Sequence, residues 1–155
     1  MKWKNPPVIK IYEALGAVAD ERLEINGDNA KVRSSSGGKF YDVVYEPETN
    51  SITSNDNGSY WRGYLGYPMI AFLMATKKLP YNERVAVSLK GVAWKDINTK
   101  FKNDFAKTEE FIRSEIAKRG GKLDELDGYL SLTMAKINEL ELNKLKSTAK
   151  PPQGY

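Results

Sequence analysis

The spacing of apolar residues changes twice along this chain, and those changes decide what it can fold into. Over residues 5–20 the apolar positions Val8, Ile11, Tyr12, Leu15 and Val18 recur every three or four residues. This predicts a helix, with Asn5 as its cap and Pro6 and Pro7 in a first turn whose N–H groups lack partners anyway. From Glu21 to Ser54 the period falls to two. Arg22-Leu23-Glu24-Ile25 alternates and meets Asn26-Gly27, a two-residue hairpin signal. Ala30 to Arg33 alternates again, Phe40 to Tyr45 is rich in β-branched and aromatic residues, and Ser51 to Ser54 is a short last strand. These predict an antiparallel meander of about four strands. Beyond Pro68 the period returns to three and four. Ile70 to Met74 are apolar on nearly every side, as a central helix would be, and Asn82 to Lys90 reads as a further short helix. Residues 96–118 carry a narrow stripe of Ile97, Phe101, Phe105, Ile112 and Ile116. Gly120-Gly121 then separates it from a second stripe, Leu123 to Leu140, on a helix over 123–146. The pair predicts an antiparallel αα-hairpin.

The fold class expected is therefore α+β: an N-terminal helix, an antiparallel β-meander, core helices and a C-terminal αα-hairpin. The organisation expected is a globular domain over 1–95, the hairpin over 96–146 packed on it or projecting from it, and a flexible tail over 147–155. A chain of 155 residues suits one domain, or one domain with an appended arm.

Cysteine and histidine are both absent. Disulfides, Cys/His zinc sites, thiolate-held clusters and every His-dependent catalytic scheme are thereby excluded within this chain. Asp42, Asp56, Glu83 and Asp96 stand near element ends, but no spacing pairs two of them for acid–base work. No catalytic residue, metal site or cofactor is expected, and the chain reads as a non-enzyme. Lys and Arg number 24 against 20 Asp and Glu, a mildly basic balance that permits nucleic-acid contact without requiring it. The N-terminus has no apolar signal region, and the longest apolar run, Tyr67 to Ala75, is about half the ~20 residues of a membrane span. A cytoplasmic chain without membrane contact is expected. The high Lys and Glu content fits a thermophile, against which the thermolabile pairs Asn26-Gly27 and Asn57-Gly58 weigh.

Two segments carry the functional expectation. Gly58 to Tyr67 holds Tyr60, Trp61, Arg62, Tyr64 and Tyr67 among three glycines. Facing outward, the rings and Arg62 suit stacking on unpaired bases or a protein hot spot. Facing inward, they cover the end of the sheet, with Arg62 on Trp61 or Tyr64 as a cation–π pair. Ser34 to Lys39 looks superficially like a phosphate cradle, but Arg33 stands at the first glycine position, Phe40 follows the lysine, and a strand follows the turn. It reads as a hairpin turn whose Lys39 can touch an anion. A calcium loop starting at Thr53 fails, because Thr53 and Tyr64 stand where Asp and Glu are needed.

Residues 40–74 run strand, turn, strand, polar loop, then a helix opening Tyr67-Pro68-Met69-Ile70-Ala71. This order resembles the core of the SWIM-type zinc finger, with Ile52 and Ser54 at the first pair of ligand positions and Tyr67 and Met69 at the second. The resemblance implies a metal-free relative that binds DNA or protein. The function expected is a small binding or adaptor module contacting nucleic acid or protein through the aromatic–Arg loop. The alternative is a structural protein that forms a homodimer or docks a partner through its αα-hairpin.

Overall fold

A computed structural model describes residues 1–146 and 149–152. The expected tail therefore falls partly outside the described residues, at 147, 148 and 153–155. The chain runs α1 (Ile9–Ala19), β1 (Leu23–Asn26), β2 (Asn29–Arg33), β3 (Phe40–Glu46), β4 (Ser51–Ser54), α2 (Tyr67–Ala75), α3 (Glu83–Val87), α4 (Trp94–Lys100), α5 (Phe105–Lys118), α6 (Leu123–Leu140) and β5 (Asn143–Lys144). The class is α+β. The four strands of the meander pair antiparallel in chain order, and β5 adds parallel to β4.

The inner face of the sheet is set by alternation. Ala30, Val32, Val43 and Ile52 are buried, while their neighbours Lys31, Asp42 and Val44 face water. Helices α1 and α2 pack on each other, and α2 lies against β3 and β4. Every α2 residue from Pro68 to Met74 is buried, which is why its sequence shows no polar face. Phe72, Tyr12, Leu15 and Ile52 are among the largest side chains with no exposed surface. Burying each such aliphatic or aromatic group contributes roughly 1.5–3 kcal/mol.

The C-terminal hairpin packs on the body. Helix α5 touches α1, and α6 touches α3. Its seam residues Thr108, Ile112, Ile116, Leu126, Leu130, Thr133 and Ile137 are buried within the chain.

Several boundaries differ from those expected, for local reasons. Asn5 does not cap α1; the helix starts at Ile9 after Val8, and no side chain caps it. In the first hairpin Asn26 pairs with Asn29, so the turn residues are Gly27 and Asp28. Gly27 alone of the two takes positive φ, at 63°, the conformation a glycine accepts without steric cost. The helix expected over 96–118 is two helices. Lys102 and Asn103 both sit at positive φ, and Asp104 caps α5 by accepting from the Lys107 N–H at 3.3 Å. Helix α6 stops at Leu140 rather than 146. The Asn50 side-chain amide donates to the carbonyls of Leu140 (2.9 Å) and Glu141 (3.3 Å), closing the helix end, and Glu141 turns the chain at φ 47°. Residues 142–145 then run along β4, where the Asn143 and Leu145 N–H groups donate to the carbonyls of Asn50 and Ile52.

Candidate functional site

The segment 55–66 is wound around one buried carboxylate. Asp56 accepts from the Ser59 N–H at 3.1 Å and from the Ser59 hydroxyl at 2.7 Å. The same hydroxyl accepts from the Gly66 N–H at 3.1 Å. These bonds draw Gly66 so close that a Cβ there would overlap both Asp56 and Ser59. The loop between them is a π-helical turn over Gly58–Arg62, closed by Gly63 at φ 75°. Turns of this kind are rare and recur at functional sites.

This winding sets the fate of each ring. Trp61 is 70% exposed, Tyr60 is 40% exposed, and their rings meet edge to face at 4.6 Å. Arg62 is exposed beside them. Tyr64 is half-buried, its ring against Gly58, where a Cβ would overlap it. Tyr67 is half-buried too, its ring edge-on to Tyr41 at 6.2 Å. The segment thus divides between solvent and interior.

Trp61, Arg62, Tyr64 and Tyr67 line a cavity of about 470 Å³, within the range of roughly 300–1,000 Å³ that holds one small ligand. Helix α1 contributes Lys10 and Glu13. The chain after α1 adds Arg22, the Ser34–Ser36 turn adds its hydroxyl side chains and Lys39, and α4 adds Trp94, Lys95 and Asn98. The lining holds five cations (Lys10, Arg22, Lys39, Arg62, Lys95) and two carboxylates (Glu13, Asp56), a formal balance of +3.

Two of those charges neutralise each other in the wall. Glu13 is 3% exposed and accepts from Lys10 Nζ at 3.1 Å and from Asn98 Nδ2 at 2.9 Å. Burial would pull the Lys10 ammonium pKa down, but the charge of Glu13, helped by Tyr64 and Asp56, raises it above its ordinary value. Burial likewise pushes the Tyr64 and Tyr67 phenols up. Lys10 thus stays an ammonium and both tyrosines stay phenols at neutral pH, so none of the three is primed as a nucleophile or base.

Other groups in the lining are left wanting. Among the described residues, Arg22 Nε and Nη2, Trp94 Nε1 and Asn98 Oδ1 are buried without a hydrogen-bond partner. Buried polar atoms are ordinarily paired, so such a cluster calls for a partner.

The candidate anion contact Lys39 lines the same cavity, and its Nζ also donates to the Pro152 carbonyl at 3.4 Å. Glu13, Arg22, Trp94 and Asn98 were not singled out by sequence reasoning. Glu13 had a signal: it follows Ile9 by four residues and precedes Ala17 by four, both fully buried, so it stands on the buried face of α1. Of the four positions aligned with zinc-finger ligands, Ile52 and Met69 are in the core, Ser54 is buried, and Tyr67 lines the cavity. Among the described residues no three carboxylates gather to hold a metal, and no helix is long and apolar enough to cross a membrane.

No curated protein and no solved structure matches the chain. Residues 3–143, which include every element from α1 to α6, match a family model, and the chain belongs to the family described as Uncharacterised conserved protein UCP014422.

Proposed function

We propose that this protein is a non-enzymatic binding module for single-stranded nucleic acid, with the Tyr60-Trp61-Arg62 turn as its outer contact and the cationic cavity behind it as the seat for one nucleotide. The observation that carries this reading is the exposure of Trp61 and Arg62 on one turn that also forms a wall of the cavity. An exposed indole offers a face to any base, and the surplus of cations favours a polyanionic backbone. The raised pKa values of Lys10, Tyr64 and Tyr67 favour binding over proton-transfer chemistry.

The test is a titration of the chain with a short oligothymidylate, read by tryptophan fluorescence at several salt concentrations. Affinity should fall as salt rises. Trp61→Ala should weaken binding by about 1–3 kcal/mol, the usual worth of one stacked base, and Arg62→Ala should flatten the salt dependence. Binding that ignores salt, or that both variants retain in full, sinks the proposal.

A further inference from the structure

We infer that Arg22 anchors a terminal phosphate monoester inside the cavity, holding two of its oxygens with the Nε/Nη2 edge of the guanidinium. This rests on the reading of the cavity as the seat for a nucleotide, and it names the group that would enter first.

The geometry of Arg22 is unusual. The residue is 6% exposed, yet among the described residues Nη1 alone of its side-chain nitrogens makes a hydrogen bond, donating to the Arg33 carbonyl at 2.8 Å. That bond and the backbone bonds Arg22 N–H to Ala17 and Arg33 N–H to Arg22 fix the side chain's root between α1 and β2. The carboxylate of Asp20 lies 3.9 Å from Nε, too far for a hydrogen bond. Its other oxygen, Oδ1, accepts from the Gly91 N–H at 2.8 Å, so Asp20 faces the guanidinium through Oδ2 as a loose ion pair. The unpartnered nitrogens, Nε and Nη2, share one edge of the planar guanidinium. That edge offers two parallel N–H groups, the fork that grips a carboxylate or phosphate bidentately. With Asp20 no nearer than 3.9 Å, an arginine buried to this degree whose fork makes no hydrogen bond carries a desolvation cost that is only partly offset.

A second unpartnered donor belongs to another residue of the same lining. The Trp94 indole packs on Gly16, where a Cβ would come within 2.8 Å of Nε1. Gly16 and Ala17 are the turn of α1 that also receives the backbone of Asp20 and Arg22. The Ser35 hydroxyl is drawn to the same end by accepting from the Lys95 N–H at 3.2 Å. Arg22 therefore has two unpartnered N–H groups and Trp94 a third, and both residues line one cavity. A carboxylate has two oxygens and one charge. A phosphate monoester has three terminal oxygens and carries about −1.5 to −2 at neutral pH. It matches these donors better.

The experiment is calorimetric titration of the full chain with trithymidylate carrying a phosphate on its 5′ end, on its 3′ end, or on neither, and with inorganic phosphate and acetate alone. One phosphorylated trimer should bind about tenfold tighter than the unphosphorylated one, as a charge-assisted bidentate pair implies. Arg22→Lys keeps the charge but loses the fork. It should erase that difference and leave the unphosphorylated trimer unchanged. Equal affinity of all three trimers for the unaltered chain, or a difference that survives Arg22→Lys, overturns the inference while leaving the nucleic-acid reading in place. Should Arg22→Lys fail to fold by circular dichroism, Trp94→Phe, which deletes one unpartnered N–H, must shrink the preference, and an undiminished preference overturns it. If no trimer binds, the nucleic-acid reading falls. The phosphate site then stands only if inorganic phosphate raises the melting temperature of the unaltered chain more than acetate does, and Arg22→Lys or Trp94→Phe abolishes the gain.

Discussion

The hydroxyl of Tyr12, on a residue with no exposed surface, donates a 2.6 Å hydrogen bond to the Glu109 carboxylate. The pair joins the first helix to the fifth. Arg113 reaches the same hydroxyl at 3.4 Å and grips Asp127 with two bonds of 2.6 and 3.1 Å, so one chain of polar contacts ties α1, α5 and α6 together. Burial and the Glu109 bond both push the Tyr12 phenol well above its ordinary pKa. Tyr12→Phe keeps the ring and removes only the bond. A hydrogen bond to a charged, half-buried acceptor is worth about 1.5–3 kcal/mol. Urea denaturation of Tyr12→Phe should show a loss in that range, and a loss below about 0.5 kcal/mol would mean that Glu109 finds water without cost.

Gly66→Ala tests the loop. Gly66 has φ −75°, a value any residue adopts, so strain in its backbone is not at issue. The difficulty is space: a methyl group there overlaps the Asp56 carboxylate and the Ser59 hydroxyl together. Displacing them breaks the buried bonds that wind the π-helical turn. The variant should lose about 2–4 kcal/mol and, with it, any ligand affinity that depends on Trp61 and Arg62. A melting temperature equal to that of the unaltered chain would contradict this account.

Glu13→Gln tests the cavity wall. The substitution preserves shape and an acceptor for Asn98, but strands the Lys10 ammonium, whose side chain is 14% exposed. Breaking one side of a buried pair costs about 3–5 kcal/mol, whereas removing both charges costs much less. Glu13→Gln combined with Lys10→Met should therefore be more stable than Glu13→Gln alone. Additive losses in the double-mutant cycle would show that the two charges do not depend on each other.

Acid should weaken the C-terminal hairpin first. The hydrogen bond from Arg113 holds the Asp127 carboxyl below its ordinary pKa against a small opposing effect of burial, and the hydrogen bond from Arg84 does the same for Glu125. Both folded-state values lie below the unfolded ones. The stability they contribute is thus complete above the unfolded carboxylate range, about pH 4, and is lost as pH falls through the folded values. Asp127 is 54% exposed, so solvent limits its share to at most about 1 kcal/mol. Asp127→Asn should cost that much at pH 7, almost nothing near pH 2, and less in high salt. A cost that does not change with pH would rule out the ion pair as its source.

The helical stripes, the alternating strands and the all-apolar run of α2 were legible because each reports burial against a single neighbour. The role of Asp56 is equally local, since its partner, Ser59, is three residues away. The split at Lys102-Asn103 was not legible, although Asp104 carries an ordinary capping signal, because the Ile97–Ile116 stripe continues in phase across it. β5 left no trace, since two residues added to an edge have no period. The cavity is the least legible feature. Lys10, Arg22 and Trp94 share no motif in the sequence. Their meeting depends on how α1, the serine turn and α4 come together, which no local spacing encodes.

The order of synthesis has a stake in β5. The Trp3 indole donates to the Ile52 carbonyl at 2.8 Å, and the Trp3 N–H donates to the Leu142 carbonyl. Residues 1–4 and 142–145 thus close one edge of the sheet jointly. Until residue 143 has emerged from the ribosome, β4 lacks its β5 partner, and the Trp3 indole shields part of that edge. Unpaired edges recruit other chains, so a nascent chain paused between α2 and α6 is the form of this protein most exposed to aggregation, and Trp3 is its early guard.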